Sequence, residues 1–246
     1  MNLSGVNVAL ARWLLLLPAC LSFQIESLFA EGPPNFILIL TDDQGWNNTE
    51  VPMIRDRADT RSDYYLTPNM QRLAKSGMTF SQAYAPHPVC SPSRHAIQFG
   101  MSPAKLKKTT NRGVNYREFV ESPSIPQLLK AAFPGYRAAH FGKWHMYAHP
   151  AERGYDESDG RTGNQTGRQK TTDQTKFWAH EDPKRAVSIT DDAVQFLRHQ
   201  AEAGAPFYLQ VSHYAVHTEL EATPSMFNIY SNPALRPPDR TVLGFG

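Results

Sequence analysis

Residues 35–40, NFILIL, form an apolar run that ends at once in TDDQGW. A run without solvent-facing alternation predicts a strand buried on both faces of a parallel sheet. That segment limits the rest of the chain, because parallel strands need a crossover between them, most often a helix. TPNMQRLAKSGMTF supplies one helix, with Thr67 as N-cap, Pro68 at the first helical position and Gly77 just past the end. IPQLLKAAF predicts another, and TDDAVQFLRHQAEAG a further one with Thr190 as N-cap, Asp191 and Asp192 in its first turn, and Gly204 at its end. YRAAHFG and PFYLQVSHYA are the next strands. Strand and helix in alternation argue for an α/β sandwich with a mainly parallel sheet. Residues 146–184 lack apolar periodicity, and KLKK at 105–108 is dense in charge. Both are expected on the surface, the first as a long excursion of the kind that shapes a substrate mouth, the second as a solvated loop.

Composition excludes several classes. A formal net charge of +2 over 246 residues offers no clustered cations for a nucleic-acid partner. A short n-region ending at Arg12, then WLLLLPACLSF, then a polar approach to Ala30 reads as a signal peptide over residues 1–30, and so as a secreted or periplasmic protein. LPAC at 17–20 also resembles a lipoprotein box, which makes Cys20 an alternative anchoring residue. No later segment is long enough for a membrane span. NNT at 47 and NQT at 164 are glycosylation sequons that matter only in a eukaryotic secretory route.

Once the leader is removed, Cys90 in HPVCSPSRHAIQFG is the single internal cysteine, so no internal disulfide explains it. A buried structural thiol is the plainest reading. A zinc site lacks companions beyond His87 and His95. A cysteine-phosphatase loop wraps its anion with more residues than the three between Cys90 and Arg94. A fourth reading takes Ser91 as N-cap and Pro92 as the first helical residue, which puts position 90 at the positive end of a helix with Arg94 one turn on. Elsewhere, Asp42 and Asp43 end the first strand, where α/β sheets place their ligands. They are hard-oxygen donors suited to Ca²⁺ or Mg²⁺, with a turn or capping role as the alternative.

CSPSR followed by Gly100 resembles the signature of the type I sulfatases, departing from it at Gln98 and Phe99, where that family usually has an apolar and a small residue. NFILILTDDQGW resembles the family's first strand, GYRAAHFGKWH its second signature with Ala138 in place of Ser or Thr, and FYLQVSHYAVHTE the strand that delivers an active-site histidine, with Val216 in place of proline. The resemblance implies an alkaline-phosphatase-like α/β/α sandwich, of which residues 31–246 are the N-terminal part. It implies oxidation of Cys90 to formylglycine by a formylglycine-generating enzyme, and a Ca²⁺ ion (or Mg²⁺) held by Asp42, Asp43 and residue 90. It further implies a hydrated formylglycine that attacks the sulfur of a sulfate ester and forms a covalent enzyme sulfate. Arg94 is then expected to hold the nucleophile, Lys143 to bridge it to a sulfate oxygen, His217 to serve the departing alcohol, and His145 to take the proton that restores the aldehyde. His213 fits no motif and is expected to be structural. The substrate class is a carbohydrate or aryl sulfate, small or polymeric. A phosphonate or phosphodiester hydrolase of the same superfamily, and an inactive truncated fragment, are the alternatives. The last is raised because the sequence stops before the further Asp, Asn and Lys that family members contribute.

Overall fold

The computed structural model describes residues 32–111, 122–167, 179–232 and 234; the predicted leader with Cys20 lies outside them. Strands β1 (Phe36–Leu40), β2 (Arg137–Gly142), β3 (Glu157–Ser158) and β4 (Phe207–Ser212) form one sheet in the order β1–β4–β2–β3, with every pair parallel. The helices are α1 (Pro68–Ser76), α2 (Cys90–Phe99), α3 (Ile125–Ala132), α4 (Ala186–Ala203) and α5 (Pro224–Ser231). No described helix is long and apolar enough to cross a membrane.

Strand alternation builds the layers. Ala139 and Phe141 of β2 join Phe207, Leu209 and Val211 of β4 on one face, where Ile189, Ala193 and Phe196 of α4 cover them. On the other face Ala138 and Tyr208 pack with Trp144, Met146 and Tyr155 against Phe99 of α2 and Ile125 and Leu129 of α3. Full burial of a Leu, Ile, Val or Phe side chain, as at Leu209 and Ile189, contributes about 1.5–3 kcal/mol of apolar transfer. The result is the expected α/β/α sandwich.

β1 departs from its expectation. It pairs with β4 alone among the described residues, and Phe36, Ile37 and Ile39 are 43%, 52% and 60% exposed. An apolar run reports that burial would be favourable, but no described helix supplies the cover. α1 keeps its predicted limits between Thr67 and Gly77 yet likewise buries no residue.

Three loop expectations also change. α4 begins at Ala186, one turn before Thr190, because the carboxylate of Asp182 accepts the amides of Val187 and Ser188 at 2.8 and 3.4 Å. Thr190 lies inside the helix and donates to the Ala186 carbonyl, so Asp191 and Asp192 do not cap its start. Of the expected excursion 146–184, residues 168–178 lie outside the described ones, and 146–167 is no surface excursion: a 3-10 turn at Pro150–Arg153 and β3 fold it back, burying Met146, Ala148, Arg153 and Tyr155. Its apolar residues sit at turns and therefore show no period. In KLKK, Leu106 and Lys108 are buried rather than solvated.

Candidate active site

Three chain segments leave the same end of the sheet. Beyond β1, Asp42 donates its amide to the Ala215 carbonyl (2.9 Å) and accepts from the Val216 amide (2.7 Å), so the backbone past β4 fixes its position. Asp42 is buried, whereas Asp43 adopts a left-handed backbone (φ 58°) that turns its side chain outward, 55% exposed. Beyond β2, Gly142 has φ +95°, and a Cβ there would lie 2.0 Å from the Ser212 carbonyl oxygen. Only glycine permits this approach, which lets the Lys143 amide bond the same carbonyl at 2.7 Å and directs the lysine inward. His145 is also left-handed (φ 50°), and Thr162 splints it: the Thr162 carbonyl accepts the His145 amide (2.7 Å), while its hydroxyl oxygen accepts the Trp144 amide (2.8 Å) and donates to the Gly142 carbonyl (2.6 Å).

The helix bearing Cys90 starts slightly earlier than the sequence suggests. Val89 is the N-cap, Cys90 the first helical residue and Pro92 the third. Pro92 is tolerated there because the first-turn amides have no intrahelical acceptor in any case. The Ser91 amide finds the Asn111 side-chain oxygen instead, at 3.1 Å. Gly100, left-handed at φ 60°, ends the helix.

These segments converge on the side chain of residue 90. The fully buried Lys143 ammonium donates to Asp42 Oδ2 and lies 3.4 Å from Cys90 Sγ. Arg94 places one guanidinium nitrogen 3.5 Å from Asp42 Oδ1 and donates another to the Lys143 carbonyl. Burial pulls the Arg94 pKa below its ordinary value, an effect opposed chiefly by Asp42. The His145 pKa is pushed down to about 4, first by burial and then by Lys143 and Arg94, and its Nδ1 is buried without a hydrogen-bond partner among the described residues. His217 donates Nδ1–H to the Thr218 carbonyl (2.5 Å), leaving Nε2 3.7 Å from Asp43 Oδ2. One donor atom each of Asp42, Cys90 and His217 falls within a mutual 4.8 Å. The fold thus gathers Asp42, Cys90, Arg94, Lys143 and His217, with His145 beside them, while Asp43 joins only through His217. His213 lends its amide to the Leu40 carbonyl, and burial lowers its imidazole pKa.

The sequence matches the protein-family model described as Sulfatase over residues 34–234. The chain belongs to the sulfatase family. This sulfatase is 35% identical over 142 residues to N-acetylgalactosamine-6-sulfatase of Sus scrofa, a match covering 52% of the chain and 25% of that protein. It is 29% identical over 206 residues to N-acetylglucosamine-6-O-sulfatase of Bacteroides thetaiotaomicron, covering 81% of the chain and 33% of that protein. The crystal structure of Ps i-CgsB superimposes with a TM-score of 0.65 at 28% identity, covering 85% of this chain and 50% of that one. The sulfatase chain therefore spans a quarter to a half of the length of these relatives.

The family implies a formylglycine and a divalent metal. The donor set of this sulfatase fits a hard cation in part: Asp42, Cys90 and His217 bring donor atoms together, and an oxygen in place of the Cys90 sulfur would add a hard donor, whereas Asp43 is turned outward and 55% exposed. Thr162 and Asn111 were not visible as site residues in the sequence. Thr162 acts through backbone groups and belongs to no motif, and Asn111 lies twenty positions from the amide it serves.

Proposed function

We propose that this sulfatase takes part in hydrolysing sulfate esters of carbohydrates, with formylglycine made from Cys90 by a formylglycine-generating enzyme during export of the protein. The observation that carries this reading is the convergence of Asp42, Lys143 and Arg94 on residue 90 at the start of α2. Relatives named for sulfated amino sugars support the substrate class. Asp42, Asp43 and residue 90 would hold a Ca²⁺ or Mg²⁺ ion, which would offset charge on the sulfate oxygens, and a formylglycine at position 90 would supply the attacking hydroxyl.

The remaining steps belong to the chain's own side chains. Arg94, held by Asp42 and the Lys143 carbonyl, presents a fixed guanidinium beside the nucleophile. Lys143, 3.4 Å from the reacting side chain, follows charge as it moves to a sulfate oxygen. His145 is neutral at neutral pH because burial and Lys143 disfavour its cation, so it carries a lone pair, though on a weakened base, for the proton whose removal restores the aldehyde. His217 serves the departing alcohol through Nε2, the nitrogen not committed to Thr218. A leader over residues 1–30 that directs secretion or periplasmic export suits a protein acting on extracellular glycans.

Peptide mass spectrometry across residue 90 of the full-length protein, co-produced with the modifying enzyme, is expected to find the aldehyde in place of the thiol. Cys90→Ala is expected to abolish turnover of an aryl sulfate. Substantial residual turnover, or a clear preference for an aryl phosphodiester, would overturn the reading.

A further inference from the structure

The buried side of α2 is polar in large part: Ser91, Arg94, His95 and Gln98 are buried beside Pro92 and Ala96, and Arg94 and Gln98 lie one turn apart on the same stripe. Arg94 is accounted for by the active site, but Gln98, 1% exposed, is not. Its amide nitrogen donates to Tyr155 Oη at 2.8 Å and to Gln210 Oε1 at 2.6 Å. Tyr155 Oη lies 3.0 Å from both Gln98 Oε1 and Gln210 Oε1, and Tyr208 Oη donates to Gln210 Oε1 at 3.1 Å. Gln210 Nε2 continues to Ser212 Oγ at 3.1 Å, and Ser212 Oγ meets His140 Nε2 at 3.1 Å. Burial pushes both phenols up, Tyr208 to about 12, so both stay protonated donors.

We propose that Gln98 is a positioning residue: with Tyr155 and Gln210 it forms a buried hydrogen-bonded anchor that sets the rotation and height of α2 on the sheet, and through them the place of residue 90 and Arg94. The proposal rests on the functional reading above for what α2 carries. Three observations support it. Apolar contacts are non-directional and let a helix slide, whereas a primary amide bonded on both of its ends fixes register, the best-attested use of a buried polar group. The strand end of the anchor is Gln210, two residues before Ser212, whose carbonyl takes the Lys143 amide. One rigid strand therefore carries the reference points for both α2 and Lys143. Finally, CSPSR opens a helix in which the resemblance leads one to expect an apolar residue where Gln98 stands, and an apolar side chain would fill the space without fixing the register.

The test compares Gln98→Leu with Gln98→Leu/Gln210→Leu in the full-length protein. The single variant takes away the bonds that Gln98 makes to Tyr155 and Gln210 but leaves Gln210 its partners Tyr155, Tyr208 and Ser212; the double variant also deprives both buried phenols of their shared acceptor. Melting temperature is expected to fall in both, and further in the second. Turnover of an aryl sulfate is expected to fall at least tenfold in both, with KM within about twofold, as misplacement of reacting groups predicts. Hydrogen exchange of residues 90–99, followed by mass spectrometry, is expected to accelerate in both variants, and that of β2 and β4 in the double one alone. Turnover and α2 protection unchanged in Gln98→Leu, with melting temperature alone lowered, would reduce Gln98 to a satisfied core residue and overturn the proposal. If the unaltered protein turns over no sulfate ester, the functional reading fails and hydrogen exchange alone decides the anchor.

Discussion

Strands β1 and β4 are written in similarly apolar letters, FILIL and FYLQVS, and they pair residue for residue, yet they live in different surroundings. β4 is buried along its whole length between α4 on one face and the layer of α2 and α3 on the other. β1 exposes most of its side chains, and α1 and the segment around Met78 and Phe80 do the same. The catalytic candidates are divided accordingly. Lys143, His145 and His217 leave the packed strands, and Cys90 and Arg94 come from α2, which packs on them. Asp42 alone belongs to the open strand and is buried, because two cations and two backbone hydrogen bonds draw it to the packed side. Asp43, one residue further and without those ties, faces solvent. Polar contacts at the strand exit, more than apolar cover along β1, therefore hold the first aspartate in the site.

The sharpest way to break this contrast is to remove the tie. Asp42→Asn leaves the Lys143 ammonium and the Arg94 guanidinium buried beside each other without a compensating charge, and is expected to cost about 3–5 kcal/mol. Turnover should disappear with it. Asp43→Asn, at an exposed position, is expected to change stability by less than about 0.5 kcal/mol. Urea denaturation of the two variants compares them directly; equal losses would show that Asp42 is not held by its cations.

A second pair tests the strands themselves. Leu209 of β4 is fully buried, and Leu209→Ala is expected to cost about 2–5 kcal/mol through lost transfer energy and the cavity left behind. Ile39 of β1, paired across to Val211, is 60% exposed, and Ile39→Ala should cost a fraction of that. A loss at Ile39 as large as at Leu209 would mean that β1 is covered in solution.

Much of this contrast lies beyond what a sequence displays. The helix at Pro68–Ser76 was legible because Thr67 and Gly77 mark its ends, and that at Ile125–Ala132 from the IPQLLKAAF segment, although the Ser124–Gln127 capping box that fixes its start emerged only in the structure. Residues 42, 90, 94, 143, 145 and 217 were legible as motifs. The start of α4 was not, since Asp182 caps it from across the 3-10 turn at Pro183–Arg185. Exposure of β1 was not, because an apolar run is the same string whether or not something covers it. Thr162 and the partners of Gln98 were not, because their roles depend on contacts that the fold creates over long sequence separations.

The smallest effect separates the two regions by pH. The open segment from 32 to 86 contains no histidine, whereas the packed layers enclose His140 completely. Burial first, and then the Arg94 charge, lower the His140 pKa to about 3 from an ordinary value of 6.5. Above pH 6.5 the imidazole is neutral in folded and unfolded chains alike and contributes no slope. As pH falls from 6.5 toward 3, the unfolded chain binds a proton that the folded chain refuses, so stability declines by at most about 1.4 kcal/mol per pH unit from this one group. His140→Gln is expected to be less stable at pH 7.5, having exchanged the bond to Ser212 for a poorer fit, and to lose stability less steeply on acidification, by up to one proton's worth. Urea midpoints measured from pH 7.5 to 4.5 give both slopes; identical slopes would place the acid sensitivity elsewhere and remove this difference between the packed and open halves.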